Sequence, residues 1–81
     1  MNYVYIIECI DGTLYTGWTN DIEKRILDHN SGMGAKYTRG RLPVKLMYHE
    51  EYETKQEAMK RECVIKRLTK KQKYGLIEGI K

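Results

Sequence analysis

Two segments rich in β-branched and aromatic residues, "YVYIIEC" (3–9) and "TLYTGWT" (13–19), flank the turn signal Asp11-Gly12. Such a pattern encodes an antiparallel hairpin. A lone hairpin is not stable in water, so the rest of the chain has to cover it. The turn also decides where the side chains go, because a one-residue slip moves each of them to the other face. A two-residue loop would set Tyr5 opposite Trp18 and Tyr15 opposite Glu8, with the tyrosines on opposite faces. A three-residue loop, Ile10-Asp11-Gly12 with a left-handed Gly12, would pair Cys9 with Thr13, Ile7 with Tyr15 and Tyr5 with Gly17. Both phenols would then share one face, with open space beside side-chain-free Gly17. The residues permit either loop.

Downstream, "TNDIEKRILDHNSG" (19–32) has helical spacing. Thr19 or Asn20 can cap its start and Gly32 its end, and Ile22, Arg25, Ile26 and His29 fall on one inward face. Three glycines and the single proline make "GMGAKYTRGRLP" (32–43) a loop, and "VKLMYHEEYE" (44–53) follows as a third strand. Thr54 with Glu57 forms a capping box before "AMKRECVIKRL" (58–68). Thr69 can cap a last short helix, weakened by Gly75. The expected fold is α+β, in the order β-β-α-β-α-α, as one domain over residues 1–81.

A hydrophobic fraction of 41% suits a globular chain rather than a disordered one. No apolar run approaches the roughly 18 residues of a bilayer span. The N-terminus lacks the layout of an export signal, so the expected location is cytoplasmic. Cys9 and Cys63 form no disulfide framework and are expected as buried reduced thiols. The net charge of +4 is unevenly placed: residues 1–35 carry −3, 36–45 carry +4, 46–57 carry −3 and 58–81 carry +6. Two basic blocks between acidic ones suit a polyanion-binding surface, and they equally suit a solvated lysine-rich helix.

Glu62 stands out in the second helix. Period 3.6 from Ala58 lines up Ala58, Met59, Glu62, Ile65 and Leu68 on one face, and a bare buried carboxylate is costly. Glu62 could turn outward to pair with Lys66 one turn on. Arg25, inward on the first helix, needs an anion, either a neighbouring acid at the rim or a bound phosphate. His29 could be a hydrogen-bonded structural residue. Together, Tyr5, Tyr15, Arg25, His29 and Glu62 supply what phosphodiester hydrolysis requires. Those parts are a base for water, a cation for charge developing on phosphorus, and a carboxylate for a divalent metal.

These residues carry a resemblance to the GIY-YIG nuclease domains, in particular the small stand-alone bacterial members. "YVY" (3–5) stands at GIY and "YTG" (15–17) at YIG, Arg25 at the family's helix arginine, His29 at a His-or-Tyr position, and Glu62 at the metal-binding glutamate. "GAKYTR" and "RLPVKLMYHE" extend the similarity over nearly the whole chain. The resemblance implies a small three-stranded antiparallel sheet flanked by helices. It also implies a metal-dependent, structure-selective DNA endonuclease, active in repair or recombination. One Mg²⁺ or Mn²⁺ would sit on Glu62 with waters completing its shell. Arg25 would neutralise charge on phosphorus, and Tyr5 or Tyr15 would position or deprotonate the attacking water with support from His29. The departures are Tyr3 for the first glycine, Val4 and Thr16 at the middle positions, Trp18 where several members have lysine, and no asparagine beyond Glu62.

Nucleic acid is the expected partner, DNA first. Lys36, Tyr37, Arg39 and Arg41 on the glycine-flanked loop and Lys66, Arg67 and Lys70 toward the C-terminus are the binding candidates. Tyr37 could stack on a base or anchor the loop. No recognition helix is visible, so binding by charge and shape is expected, with a protein partner or homodimer to supply specificity. The alternative from another class is a nucleic-acid-binding module that kept the fold without turnover. A zinc site from Cys9, His29, His49 and Cys63 is disfavoured, since no two of these are close in sequence.

Overall fold

The structure is a computed structural model describing residues 1–79; the last two residues of the expected domain lie outside the described part. The two expected strands form as β1 (Asn2–Glu8) and β2 (Leu14–Thr19). Their register pairs Ile7 with Tyr15 and Tyr5 with Gly17. Cys9 N–H donates to Thr13 C=O across 2.8 Å, and Gly12 adopts φ +85°. This is the three-residue loop, and it puts both phenols on one face. Asp11 reinforces it by accepting from both the N–H and the hydroxyl of Thr13.

The first helix, α1, runs Ile22–Asn30 and is capped by neither Thr19 nor Asn20. The Thr19 hydroxyl is engaged with the backbone of Asp21. The Asp21 carboxylate accepts from Lys24 N–H instead and serves as the cap. The expected loop contains a short 3-10 helix, Lys36–Arg41. It leads into β3 (Lys45–Tyr52), which pairs antiparallel with β1 to give the strand order β2-β1-β3. Two more helices follow, α2 (Lys55–Lys66) and α3 (Lys70–Ile77), each opened by a complete capping box, Thr54 with Glu57 and Thr69 with Gln72.

Strand alternation divides the core in two. Val4 and Ile6 of β1 pack with Ala58 and Ile65 of α2, flanked by Trp18, Tyr48 and Tyr52. Tyr5, Ile7 and Cys9 pack on the opposite face with Ile22 and Ile26 of α1, and with Tyr15 beside them. Burial of this apolar surface on both faces is the main stabilising term. Met59, expected inward, is 44% exposed. Its place beneath the sheet is taken by Arg61, whose guanidinium binds Glu50 of β3 through two bonds of 2.9 and 3.1 Å. Of the two expected buried thiols only Cys9 is buried; Cys63 is exposed on α2, one residue past Glu62.

Candidate active site

Tyr5 projects from β1 toward α1, and only a glycine at position 17 allows it to lie as it does. A Cβ there would come within 2.5 Å of the Tyr5 hydroxyl and 3.2 Å of the Tyr15 ring. The space expected to stand open beside Gly17 is filled by the phenol itself. From α1, Arg25 Nε donates to Tyr5 Oη at 3.3 Å, and His29 Nε2 lies 3.0 Å from the same oxygen. Tyr5 and His29 are fully buried. His29 Nδ1 is 2.9 Å from Thr38 Oγ1, which in turn lies 2.9 Å from Ala35 C=O. The loop can approach this closely because residue 34 is glycine; a Cβ there would stand 2.4 Å from Nδ1.

Hydrogen counting orients the chain. The carbonyl of Ala35 can only accept, so the Thr38 hydroxyl donates to it and offers a lone pair to His29. Nδ1 then carries the ring proton, Nε2 accepts, and Tyr5 O–H donates to Nε2 while its oxygen accepts from Arg25. The reverse arrangement, with a proton on Nε2, would leave the Tyr5 hydrogen without a partner in a buried site, an expensive state. Burial and the nearby Arg25 charge both hold His29 below its ordinary pKa, favouring the neutral ring. Burial raises the pKa of Tyr5, partly offset by the bond and charge of Arg25, while Tyr15 and Glu62 raise it further. The phenol therefore carries its proton at rest, bonded to a neutral imidazole.

Tyr15 sits beside this chain, its ring edge-on to His29 at 5.5 Å between centroids. It is half-buried, and its hydroxyl has no hydrogen-bond partner among the described residues. Glu62 is half-buried on α2, near enough for its charge to be felt at Tyr5. Its Oε2 pairs with Lys66 Nζ at 3.4 Å, the bond anticipated for an outward glutamate, yet the side chain is only 18% exposed. No group of three His, Cys, Asp or Glu side chains is placed to hold a metal among the described residues. Cys9, His29, His49 and Cys63 are not gathered into such a group, and the cysteines differ in burial as well. One carboxylate already facing a cation still fits a hard divalent ion, which keeps waters and takes its remaining oxygens from phosphate.

The basic candidates separate into two kinds. Lys36, Arg39, Arg67 and Lys70 are exposed. Arg41 is engaged, with its Nε 3.3 Å from Asp11 and its guanidinium 4.5 Å over the Tyr37 ring. Tyr37 also stacks on Tyr15 at 5.8 Å, so its ring anchors the loop rather than standing free for a base. Thr38, Gly34 and Arg61 are the residues that sequence reasoning missed. Only the motif "GAKYTR" hinted at Thr38, since its partner is nine positions away on another element. Trp18 points to the opposite face, with Lys55 Nζ 5.1 Å over its ring.

The family model described as the GIY-YIG catalytic domain matches residues 1–75. A UPF0213 protein of Clostridium perfringens is 65% identical over 79 residues, covering 98% of this chain and 85% of that protein. A UPF0213 protein of Halobacterium salinarum is 55% identical over 76 residues, covering 94% and 99%. Among solved structures, the solution NMR structure of a UPF0213 protein from Bacillus halodurans aligns with a TM-score of 0.62 at 48% identity, covering 99% of this chain and 86% of that one. A second NMR structure, of a protein from E. faecalis, aligns with a TM-score of 0.64 at 44% identity, covering 96% and 83%. The hairpin register, the α+β order and these matches agree, and the chain belongs to the GIY-YIG nuclease-domain family.

Proposed function

We propose that this chain is a divalent-metal-dependent endonuclease that hydrolyses phosphodiester bonds in branched or otherwise structured DNA. The supporting observation is the oriented chain Arg25–Tyr5–His29–Thr38, in which a buried phenol donates to a neutral imidazole. Tyr15, at the solvent boundary with an unpartnered hydroxyl, holds the attacking water. As the water oxygen bonds to phosphorus, its proton passes to Tyr5 Oη and the Tyr5 proton passes to His29 Nε2, leaving an imidazolium. The 3′ oxygen departs and takes a proton from solvent. Arg25 stabilises the transient phenolate character of Tyr5 and the charge on the phosphoryl oxygens.

A free phenol, with a pKa near 10, is a poor base by itself; handing its own proton to His29 in the same step means that no free phenolate has to form. Glu62 would hold the ion, Mg²⁺ or Mn²⁺, which would supply Lewis-acid stabilisation of the phosphate and the leaving oxygen. Lys36, Arg39, Arg67 and Lys70 would hold the strand by charge, with little sequence preference.

The deciding experiment incubates the purified chain with flap and three-way-junction DNA in Mg²⁺ or Mn²⁺, beside Glu62→Ala and Arg25→Ala. Cleavage by the parent alone, with binding in EDTA retained by both variants, is the expected result. Binding by the parent without cleavage in either ion would leave the non-catalytic binding module as the function.

A further inference from the structure

The sheet leaves one edge of β2 unpaired, because β2 is the outermost strand in the order β2-β1-β3. The bond from Cys9 N–H to Thr13 C=O makes 9/13 a hydrogen-bonded pair. Alternation then turns the backbone N–H and C=O of Leu14 and Thr16 outward, to the free edge. Along that edge runs a groove of about 300 Å³ lined by Leu14, Tyr15, Thr16, Tyr37, Lys66 and Lys73. Two lysines thus face one cleft, and Lys73 has no carboxylate partner among the described residues. Burial and the Lys66 charge both lower the pKa of Lys73, as expected where like charges crowd without an anion between them. The Thr16 hydroxyl beneath the groove is buried and also lacks a partner among the described residues.

We propose that this β2-edge groove is a phosphate seat, in which Lys66, Lys73 and the outward N–H of Thr16 hold an internal backbone phosphate of the bound nucleic-acid strand. Lys66 lies four residues of α2 beyond Glu62, about 6 Å along the axis. That corresponds to between one and two nucleotides of rise at about 3.4 Å each. The seated phosphate is therefore a near neighbour of the one presented to Tyr15 and Glu62, and it fixes the strand's path across the β2 edge. Lys73 is the defining residue: unlike Lys66 it is not tied to Glu62, and unlike Lys70 and Lys71 it is half-buried. This assignment builds on the nuclease reading, yet its test needs no cleavage.

Binding of a short fluorescent oligodeoxynucleotide in EDTA is measured against salt for the parent chain, Lys73→Ala and Lys71→Ala. Lys71→Ala removes the same charge from the exposed side of α3. Lys73→Ala is expected to weaken binding about fivefold at low salt and to lower the log–log salt slope by about one, with Lys71→Ala changing little. In ¹H–¹⁵N spectra, inorganic phosphate should move the Thr16 and Lys73 amides of the parent and not those of folded Lys73→Ala. Equal effects of the two substitutions, or amides unmoved by phosphate and by oligonucleotide alike, would overturn the seat. A Lys73 effect confined to 5′-phosphorylated oligonucleotides would overturn the internal position and make the occupant a strand end. A chain that cleaves nothing yet shows the Lys73 effect loses the nuclease reading and keeps the seat.

Discussion

Each face of the sheet carries a tyrosine bonded to an ionisable partner and an arginine, and the two clusters behave in opposite ways. On the α2 face, the phenols of Tyr48 and Tyr52 both donate to Glu50, which also takes two bonds from Arg61. Burial opposes ionisation of Glu50, but Arg61, Tyr48 and Tyr52 outweigh it and hold its pKa below the ordinary carboxylate value. Burial and the Glu50 charge push Tyr52 up to about 12. Every donor there meets an acceptor that stays anionic, so the protons are fixed. On the α1 face the acceptor is a neutral imidazole, kept neutral by burial and Arg25. Two phenols of its own strand hold Glu50 in place, and Arg61 of α2 clamps the helix to β3 through it; on the α1 face the phenol donates instead to a neutral ring, which the proposed relay uses. On the proposed nuclease reading, the acceptor rather than the tyrosine separates scaffold from chemistry.

The largest effect should come from breaking the α1-face cluster without touching a charge. Gly17→Ala inserts a methyl group where the Tyr5 hydroxyl and Tyr15 ring already lie, so Tyr5 has to leave Arg25 and His29. Loss of a positioned acid–base group costs roughly 10²- to 10⁴-fold in rate. Single-turnover cleavage should fall by that order, with DNA binding in EDTA near the parent's. Undiminished cleavage by a folded Gly17→Ala protein would sink the Tyr5 relay.

The converse substitution, Glu50→Ala, should cost stability and spare chemistry. It strands Arg61 and two phenols, and a broken buried pair costs about 3–5 kcal/mol. Arg61 is a third exposed, so about 2 kcal/mol is the expected loss in urea unfolding. Cleavage per folded molecule, read where unfolding is negligible, should stay within a few-fold. A drop as deep as that of Gly17→Ala would mean that the clamp also aligns Glu62.

The parts of this contrast differ in how far they could be read from the residues. Local patterns carried the hairpin, the Thr54–Glu57 capping box, the Thr69 cap, and the shared face of Arg25 and His29, since turns, caps and i,i+4 spacing act within a few positions. Choosing between the two loops needed Gly12 in its left-handed turn, which Asp11-Gly12 permits without requiring. Helix α2 misled because its inward side is largely polar: Ala58 and Ile65 are buried, while Arg61 turns inward to meet Glu50 on another strand. With so few apolar residues, the helical period could not tell Met59 from Arg61. Thr38 was illegible for a related reason, as an ordinary loop threonine until its hydroxyl meets His29.

Thr38 offers a finer test. Thr38→Val removes the acceptor for Nδ1–H and frees the ring to move its proton to Nε2, which would turn the Tyr5 bond around. Outer-shell partners of ligating histidines contribute about 10- to 100-fold, and a loss near the lower end is expected here, with Thr38→Ser restoring activity. ¹⁵N shifts of the His29 ring should report an Nδ1–H tautomer in the parent and in Thr38→Ser. An Nε2–H ring in the parent would refute the orientation before any cleavage is measured.

The smallest effect concerns pH. His29 has a lower pKa in the folded chain than its ordinary 6.5, so between the two values the unfolded state binds more protons and stability rises with pH. The contribution is complete above about pH 6.5 and is lost as pH falls below that value toward the folded pKa. The α2-face cluster cannot produce this slope, because Glu50 is depressed below the carboxylate range and Tyr52 is near 12. Unfolding free energies between pH 7.5 and 5.5 should therefore decline for the parent and flatten in His29→Gln, whose amide cannot titrate. A slope that survives His29→Gln would assign the proton uptake elsewhere. Burial and Arg25 would then not be what keeps the His29 ring neutral, and the contrast with the Glu50 cluster would rest on hydrogen-bond geometry alone.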